Sequence, residues 1–344
     1  MKRRLFVAVA LLMGLLHSIH ADNWMTRLPD DAYVAVVSIP GTHDSATGCG
    51  WARGRGFIGD MFARTQDINI QAQWHIGIRA FDFRPSVYKN YMNLNHGIMP
   101  TNAHFEDVLC MLRDSLIANP SEFVVIHLLH AGEGDKVKNA YNTRLMEILK
   151  RADLKDFFVD FKTDLKVRDV RGKMLILSRN NYSNTPVGGI FQNWTGGVNW
   201  FKQIQGRIVG SKNEKGIVYM QDFSDTHHEG GVQIKIAAIN KMLDYSTTHT
   251  TTTTDNIRWI LNFASAYSKV MHLFGYEIST SKGYRDNAAY THAAFLQYLK
   301  THNPGPTGIV LMDYAGVDKS DGYDTNGLQL VRAIINNNFK YLSH

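Results

Sequence analysis

Two histidines, an arginine and several aspartates fall where short apolar runs of this chain end. Val36-Val37-Ser38-Ile39 runs into Pro40-Gly41-Thr42-His43-Asp44-Ser45. Ile78-Arg79-Ala80-Phe81-Asp82-Phe83-Arg84 ends in charge the same way, and a short loop segment, Asn95-His96-Gly97, follows. One imidazole can take a proton from an attacking hydroxyl while the other gives one to a leaving oxygen, because the free group titrates at about pH 6.5. Asp44, Asp82 and Asp313 are the carboxylates available to orient them. The guanidinium of Arg84 would clamp non-bridging phosphate oxygens and stabilise charge that develops on them. Together these groups describe in-line cleavage of a phosphodiester with no obligatory metal. Taken singly, each has a plainer use: His43 caps a turn, or Arg84 pairs with Asp82.

The elements that must position these groups alternate between strand and helix. Apolar runs predict strands over 32–39, 78–83, 123–129, 174–177, 216–220, 259–265 and 309–314, with Pro40-Gly41 stopping the first. Helical spacing covers 69–76, 104–118, 137–152, 232–245, 287–299 and 327–337. Residues 48–59 read as a glycine-rich loop and 246–254 as a threonine-rich one. Alternation of this kind builds parallel βα units. About seven short strands in one chain fit an α/β barrel better than an open sheet, and no glycine-rich phosphate fingerprint follows the first strand. Five predicted strands end in a polar residue: His43, Asp82 with Arg84, Arg179, Asp222 and Asp313. Barrel enzymes draw their chemistry from such ends. No linker divides the chain, so 22–344 is expected to be a single domain.

Lys2-Arg3-Arg4 followed by an apolar stretch from Leu5 to Leu16 reads as a secretory signal peptide over 1–21, cut near Ala21. An exported protein, whether secreted, periplasmic or at the cell surface, is therefore expected. Loss of those three basic residues and no acidic ones lowers the net charge from +6 to +3. No Lys/Arg-rich run points to nucleic acid. With 44% hydrophobic and 20% charged residues the chain is expected to fold throughout. Cys49 and Cys110 are as compatible with a disulfide as with two buried thiols. Of His127 and His130, one is expected to face the core. His227-His228 with Glu229 could suggest a metal, but adjacent residues of a strand point apart, and no metal site is expected there. Trp51, Phe57, Ile58, Phe62, Phe191, Trp194, Trp200 and Phe201 are either core or contacts for a membrane interface.

The motifs quoted above, with Asn119-Pro120-Ser121-Glu122, Leu177-Ser178-Arg179, Gln221-Asp222, Asn262-Phe263-Ala264-Ser265 and Met312-Asp313-Tyr314, resemble the X-domain of bacterial phosphatidylinositol-specific phospholipase C over residues 33 to 335. The resemblance implies a distorted, incompletely closed TIM-type barrel. It implies attack of the inositol 2-hydroxyl on its own 1-phosphate, releasing diacylglycerol and a cyclic inositol phosphate. His43 matches the general base and Asp313 its partner. His96 matches the general acid and Asp44 its support. Arg84 matches the phosphate-binding arginine, so no cofactor is expected, and Asp82 is the neighbouring carboxylate. Arg179 and Asp222 match inositol-binding positions. A lysine and a ring-stacking tyrosine of the family fall on Leu129 and Ser224, which leaves Tyr219, Phe223 or His130 to compensate. The expected partner is phosphatidylinositol in a membrane surface, bound peripherally by a monomer. Two alternatives stay open: a related phosphodiesterase for a glycosylated inositol lipid or a glycerophosphodiester, and a non-catalytic lipid- or glycan-binding module.

Overall fold

Residues 124–128 and 174–178 are buried at every position, as strands covered on both faces must be. The structure, a computed structural model, describes residues 21–131, 134–179, 187–194, 205–228, 231–249, 257–273 and 275–342. The expected signal segment up to residue 20, Trp200, Phe201, Glu229 and residues 250–254 lie outside it. In chain order the strands are β1 (Ile39–Thr42), β2 (Ala80–Phe83), β3 (Pro85–Tyr88), β4 (Tyr91–His96), β5 (Met99–His104), β6 (Val124–Leu128) and β7 (Met174–Ser178). They continue with β8 (Gly189–Gln192), β9 (Gln205–Gly210), β10 (Lys215–Gln221), β11 (Arg258–Phe263), β12 (Val270–Leu273), β13 (Tyr276–Ser279) and β14 (Ile309–Met312).

Nine of these close a barrel in the order β1-β14-β11-β10-β9-β8-β7-β6-β2. All seven expected strands are in it, and their mutual pairings are parallel. The resemblance implied incomplete closure, whereas strand pairing here runs unbroken round the ring. The interval between β7 and β10 is spanned by β8, parallel to β7, and by β9, antiparallel to both β8 and β10. The distortion is thus an antiparallel ribbon set into a parallel barrel.

The first strand differs from its expectation. Residues 34–36 form a short 3-10 turn, and Pro40-Gly41 lie inside β1 instead of ending it. The Ile39 amide donates to Gly308 on the β14 side, which turns the Pro40 nitrogen toward β2. Pairing with β2 starts only at Gly41, so no ladder bond is lost at the proline. A Cβ at Gly41 would lie 2.7 Å from that of Ala80, so glycine lets the neighbouring strands approach.

The amino end of the barrel is fastened by Arg79 and Glu122, both fully buried and 2.9 Å apart. Glu122 also accepts the Met25 amide at 3.0 Å, and Trp24 Nε1 donates to the Gly77 carbonyl. That end is therefore plugged, and chemistry is left to the carboxyl end. Three elements depart from expectation. Residues 85–104, of which 95–97 are expected to be a short loop segment, form the antiparallel sheet β3-β4-β5, with Asn95 and His96 ending β4. The helix expected over 287–299 spans Ser281–Thr301, because Thr280 caps it by accepting the Gly283 amide. The helix read as 232–245 runs Gly231–His249, taking in the start of the threonine-rich tract. Cys49 and Cys110 are free and partly buried.

Candidate active site

His43 follows β1 directly, its amide bonded to the Met312 carbonyl of β14 at 2.9 Å. In a continuing strand His43 and Asp44 would face opposite ways. Asp44 instead takes a left-handed conformation, φ 44°, which aspartate tolerates better than most residues. Both side chains can then serve one site. The turn is pinned from behind by two buried glutamines. Gln66 Nε2 donates to the carbonyls of His43 and Met312 at 2.9 and 2.8 Å, and Gln73 Nε2 donates to that of Ser45 at 2.8 Å.

The six expected catalytic residues converge. His43 Nδ1 lies 2.8 Å from Asp313 Oδ1, joining the first barrel strand to the last. His43 Nε2 lies 2.8 Å from Arg84 Nη2 and 3.3 Å from Asp44 Oδ2. Arg84 is held at both ends, Nε to Asp44 Oδ1 and Nη2 to Asp82 Oδ2, each at 2.9 Å. His96, the last residue of β4, has Nε2 3.5 Å from Asp44 Oδ2. Its Nδ1 donates to the Ala63 carbonyl at 2.7 Å, which leaves Nε2 toward the site. The imidazole centroids are 6.4 Å apart, near perpendicular, with Asp44 reaching both rings.

The two rings are tuned oppositely. Burial opposes charge on His43, but Asp44 and Asp313 outweigh it and raise the pKa to about 9. A guanidinium N–H pointing at Nε2 requires a lone pair there, so the geometry is that of a neutral ring with its proton on Nδ1 toward Asp313. His43 is thus a strong base by its carboxylate neighbours, held neutral in this geometry by the Arg84 N–H that its site-facing Nε2 accepts. His96 is pushed below its ordinary value by burial first, with Asp44 opposing and Arg84 and His43 adding to the depression. Burial also works against charge on Asp82, yet Arg84 and His127 hold its carboxyl well below the usual range. Arg84 is held protonated by Asp44 and Asp82 against its own desolvation. The donor atoms of His43, Asp44 and Asp82 are close enough together for a cation, but the Arg84 guanidinium already bridges the two carboxylates.

Arg179 and Asp222 form a second pair, at 3.5 Å, at the ends of β7 and β10. Asp222 helps hold the charge on Arg84, and Arg84 in turn depresses Arg179, whose larger perturbation is burial. The two pairs therefore share one electrostatic field.

Four side chains complete the site beyond what the sequence reading assigned. His127 is the core-facing one of its pair. Its Nδ1 donates to Asp82 Oδ1 at 2.8 Å, making it the far support of Arg84. Trp194, grouped above with possible membrane aromatics, lies under Arg179 with the guanidinium 4.2 Å from its ring, and its Nε1 donates to Asp222 at 3.1 Å. Tyr284 brings its hydroxyl to 2.8 Å from Ser279 Oγ and 3.5 Å from His96 Nε2. Lys235, fully buried and driven down to about 7 by desolvation, donates to Gln221 Oε1 and the Phe223 carbonyl on either side of Asp222. The residues considered as compensation are engaged elsewhere: Tyr219 packs on Tyr245, His130 on Tyr141, and Phe223 is fully buried. Trp51 is core, wedged against Gly59, and Phe191 is buried behind Trp194.

No protein-family model matches the chain. A 1-phosphatidylinositol phosphodiesterase of Listeria monocytogenes is 30% identical over 174 residues, covering 48% of this chain and 51% of that protein. The chain thus spans about half the length of that relative. An enzyme of the same name from Staphylococcus aureus is 23% identical, with 98% of each chain covered. Among solved structures, the phosphatidylinositol-specific phospholipase C of S. aureus superposes with TM-score 0.73 at 20% identity, covering 93% of this chain and 98% of the other. That of L. monocytogenes gives 0.65 at 22%, covering 93% and 99%. By sequence over the matched residues and by barrel architecture, the chain is similar to the bacterial phosphatidylinositol-specific phospholipases C.

Proposed function

We propose that the chain is an exported phosphatidylinositol phosphodiesterase that cleaves its substrate by two-histidine acid–base catalysis. The observation that carries this reading is the arrangement of His43 and His96 about the Arg84–Asp44 pair. The substrate phosphate binds Arg84, drawing the guanidinium off His43 Nε2. His43 then takes the proton of the inositol 2-hydroxyl as that oxygen bonds to phosphorus. The bond from phosphorus to the diacylglycerol oxygen breaks, and His96 gives that oxygen a proton. The products are diacylglycerol and inositol 1,2-cyclic phosphate. The negative phosphate offsets the Arg84 charge that depresses His96, so substrate binding itself favours the protonated acid. Arg179 and Asp222 hold inositol hydroxyls, with Trp194 as the neighbouring aromatic surface.

Access to lipid requires an apolar rim. Phe57, Ile58 and Ile98 are 76%, 51% and 74% exposed, and Arg55 ties their segments together by donating to the Ile98 carbonyl at 3.0 Å. Ile98 is two residues beyond His96, so this patch borders the site. Among the described residues no helix is long and apolar enough to cross a membrane. Peripheral docking of a monomer through this patch fits both facts.

Phosphorus NMR of the products from phosphatidylinositol and from phosphatidylcholine tests the reading. A cyclic inositol phosphate from the first alone is expected; cleavage of neither lipid overturns it. Leu129 and Ser224, standing where the family has a lysine and a tyrosine, favour a second reading in which the inositol carries a glycan. Inclusion of a glycosylated inositol lipid in the same experiment separates the two.

The Asp313–His43 contact has its own signature. Asp313→Asn removes a carboxylate that raises the base, so the acidic limb of kcat/KM moves to lower pH. The plateau falls by about 10²–10⁴-fold as the tautomer loses its anchor. A profile between about pH 5 and pH 10 reads both effects; an unmoved limb means Asp313 does not tune His43.

A further inference from the structure

The geometry points to a structural zinc site outside the catalytic centre, formed by His227, His228 and Glu277 with His272 as the fourth ligand. The sequence reading set His227-His228 aside because strand neighbours diverge. Residues 226–228 form a turn, however, and the two imidazoles converge, with centroids 4.6 Å apart and planes at 88°. One nitrogen from each and a carboxylate oxygen of Glu277 all lie within 4.8 Å of one another. Glu277 comes from a separate element, strand β13. Its cross-strand partner on β12 is His272, whose Nε2 lies 3.6 Å from the second Glu277 oxygen.

The surroundings of these rings are those of metal ligands. A ligating histidine ordinarily donates its other N–H to a carboxylate or a carbonyl, which fixes the tautomer. His228 Nδ1 lies 2.9 Å from Asp225 Oδ2, and His227 Nδ1 lies 3.3 Å from the Ser268 carbonyl. For His227 this leaves Nε2 to offer, and for His228 Nε2 is freed once a metal displaces the proton it shares with Glu277. His228 Nε2 already sits 2.7 Å from Glu277 Oε2. Two ligand atoms on one tetrahedral zinc are about 3.3 Å apart, given bonds of about 2.0–2.1 Å. His227, His228 and Glu277 therefore need only small adjustments, while the exposed His272, near Glu277, must swing in to complete the set. Three imidazoles and one carboxylate select a borderline divalent ion over calcium or magnesium, which want oxygen.

The site joins the turn after β10 to the β12–β13 hairpin. Two residues beyond Glu277, Ser279 holds the Tyr284 hydroxyl beside His96. Zinc here fastens the hairpin that props Tyr284. It takes no part in bond breaking, and the proposal does not depend on the substrate.

The test uses the full chain, stripped with chelator and titrated with Zn2+ against a chromogenic competitor. One equivalent is expected to bind with Kd below about 1 μM, weakened at least about tenfold by His228→Ala and by Glu277→Gln. Co2+ is expected to give the intense visible bands of a tetrahedral site, absent in both variants. Zinc is also expected to slow amide exchange in the hairpin strands. The variants alter exposed side chains, and circular dichroism verifies that they fold. His43→Ala is expected to keep the equivalent. Absence of binding, or binding lost in His43→Ala but kept in Glu277→Gln, overturns the assignment.

Discussion

His43→Ala and His96→Ala are each expected to lower kcat on phosphatidylinositol by roughly 10³–10⁴-fold, the scale of a lost acid or base. The two losses should differ in kind. A leaving group that is stable as an anion, such as a nitrophenolate, needs no proton, so the nitrophenyl ester of inositol phosphate should restore most of the rate in His96→Ala. The same substrate should do little for His43→Ala, because the attacking hydroxyl must still lose its proton. Removal of His43 also strips Asp313 of its buried partner, and uncompensated buried charge is destabilising. His43→Gln keeps an amide able to donate to Asp313 and separates loss of fold from loss of base. Near-wild-type rates in either histidine variant would sink the mechanism, and equal rescue of both would reverse or erase the assigned roles.

Those roles were only partly legible in the sequence. The seven parallel strands were readable because strands buried on both faces must be continuous apolar runs, as Val124–Leu128 and Met174–Ser178 are. Strands β3 to β5 were not, because they are rich in polar residues and carry Pro85 and Pro100. His96 was therefore found by type and motif while its element was missed. His43 and Asp313 lie 270 residues apart, and no local pattern states that they meet. Order and spacing of several weak motifs supplied that pairing through resemblance, and barrel closure supplies its physical cause. His127 was one of two histidines of which one was expected in the core, and Trp194 was left as core or membrane contact, because burial and aromaticity are all that a lone residue displays. Their use appears only once β2, β6 and the segment after β8 are side by side. The divergence argument for His227-His228 holds for a strand, but the chain turns there and the two rings converge.

Arg84→Lys is expected to lower kcat by about 10²–10³-fold with a smaller change in KM, although the charge is retained. A lysine offers one point of charge in place of a planar fork, and cannot span Asp44 and Asp82 as Arg84 does at 2.9 Å on each side. The loss should fall on kcat because the phosphate gathers charge on its non-bridging oxygens as the new bond forms. Because Arg84 occupies the position between the carboxylates, wild-type turnover should stay within about twofold in excess chelator. A calcium requirement would instead make Asp44 and Asp82 ligands and Arg84 misassigned. The pH profile gives a second, independent reading. Arg84 opposes protonation of His43, so Arg84→Gln should move the acidic limb of kcat/KM upward, opposite to the shift expected for Asp313→Asn. Opposed shifts from two residues that touch opposite nitrogens of one ring would identify His43 as the titrating base, and shifts of the same sign would not.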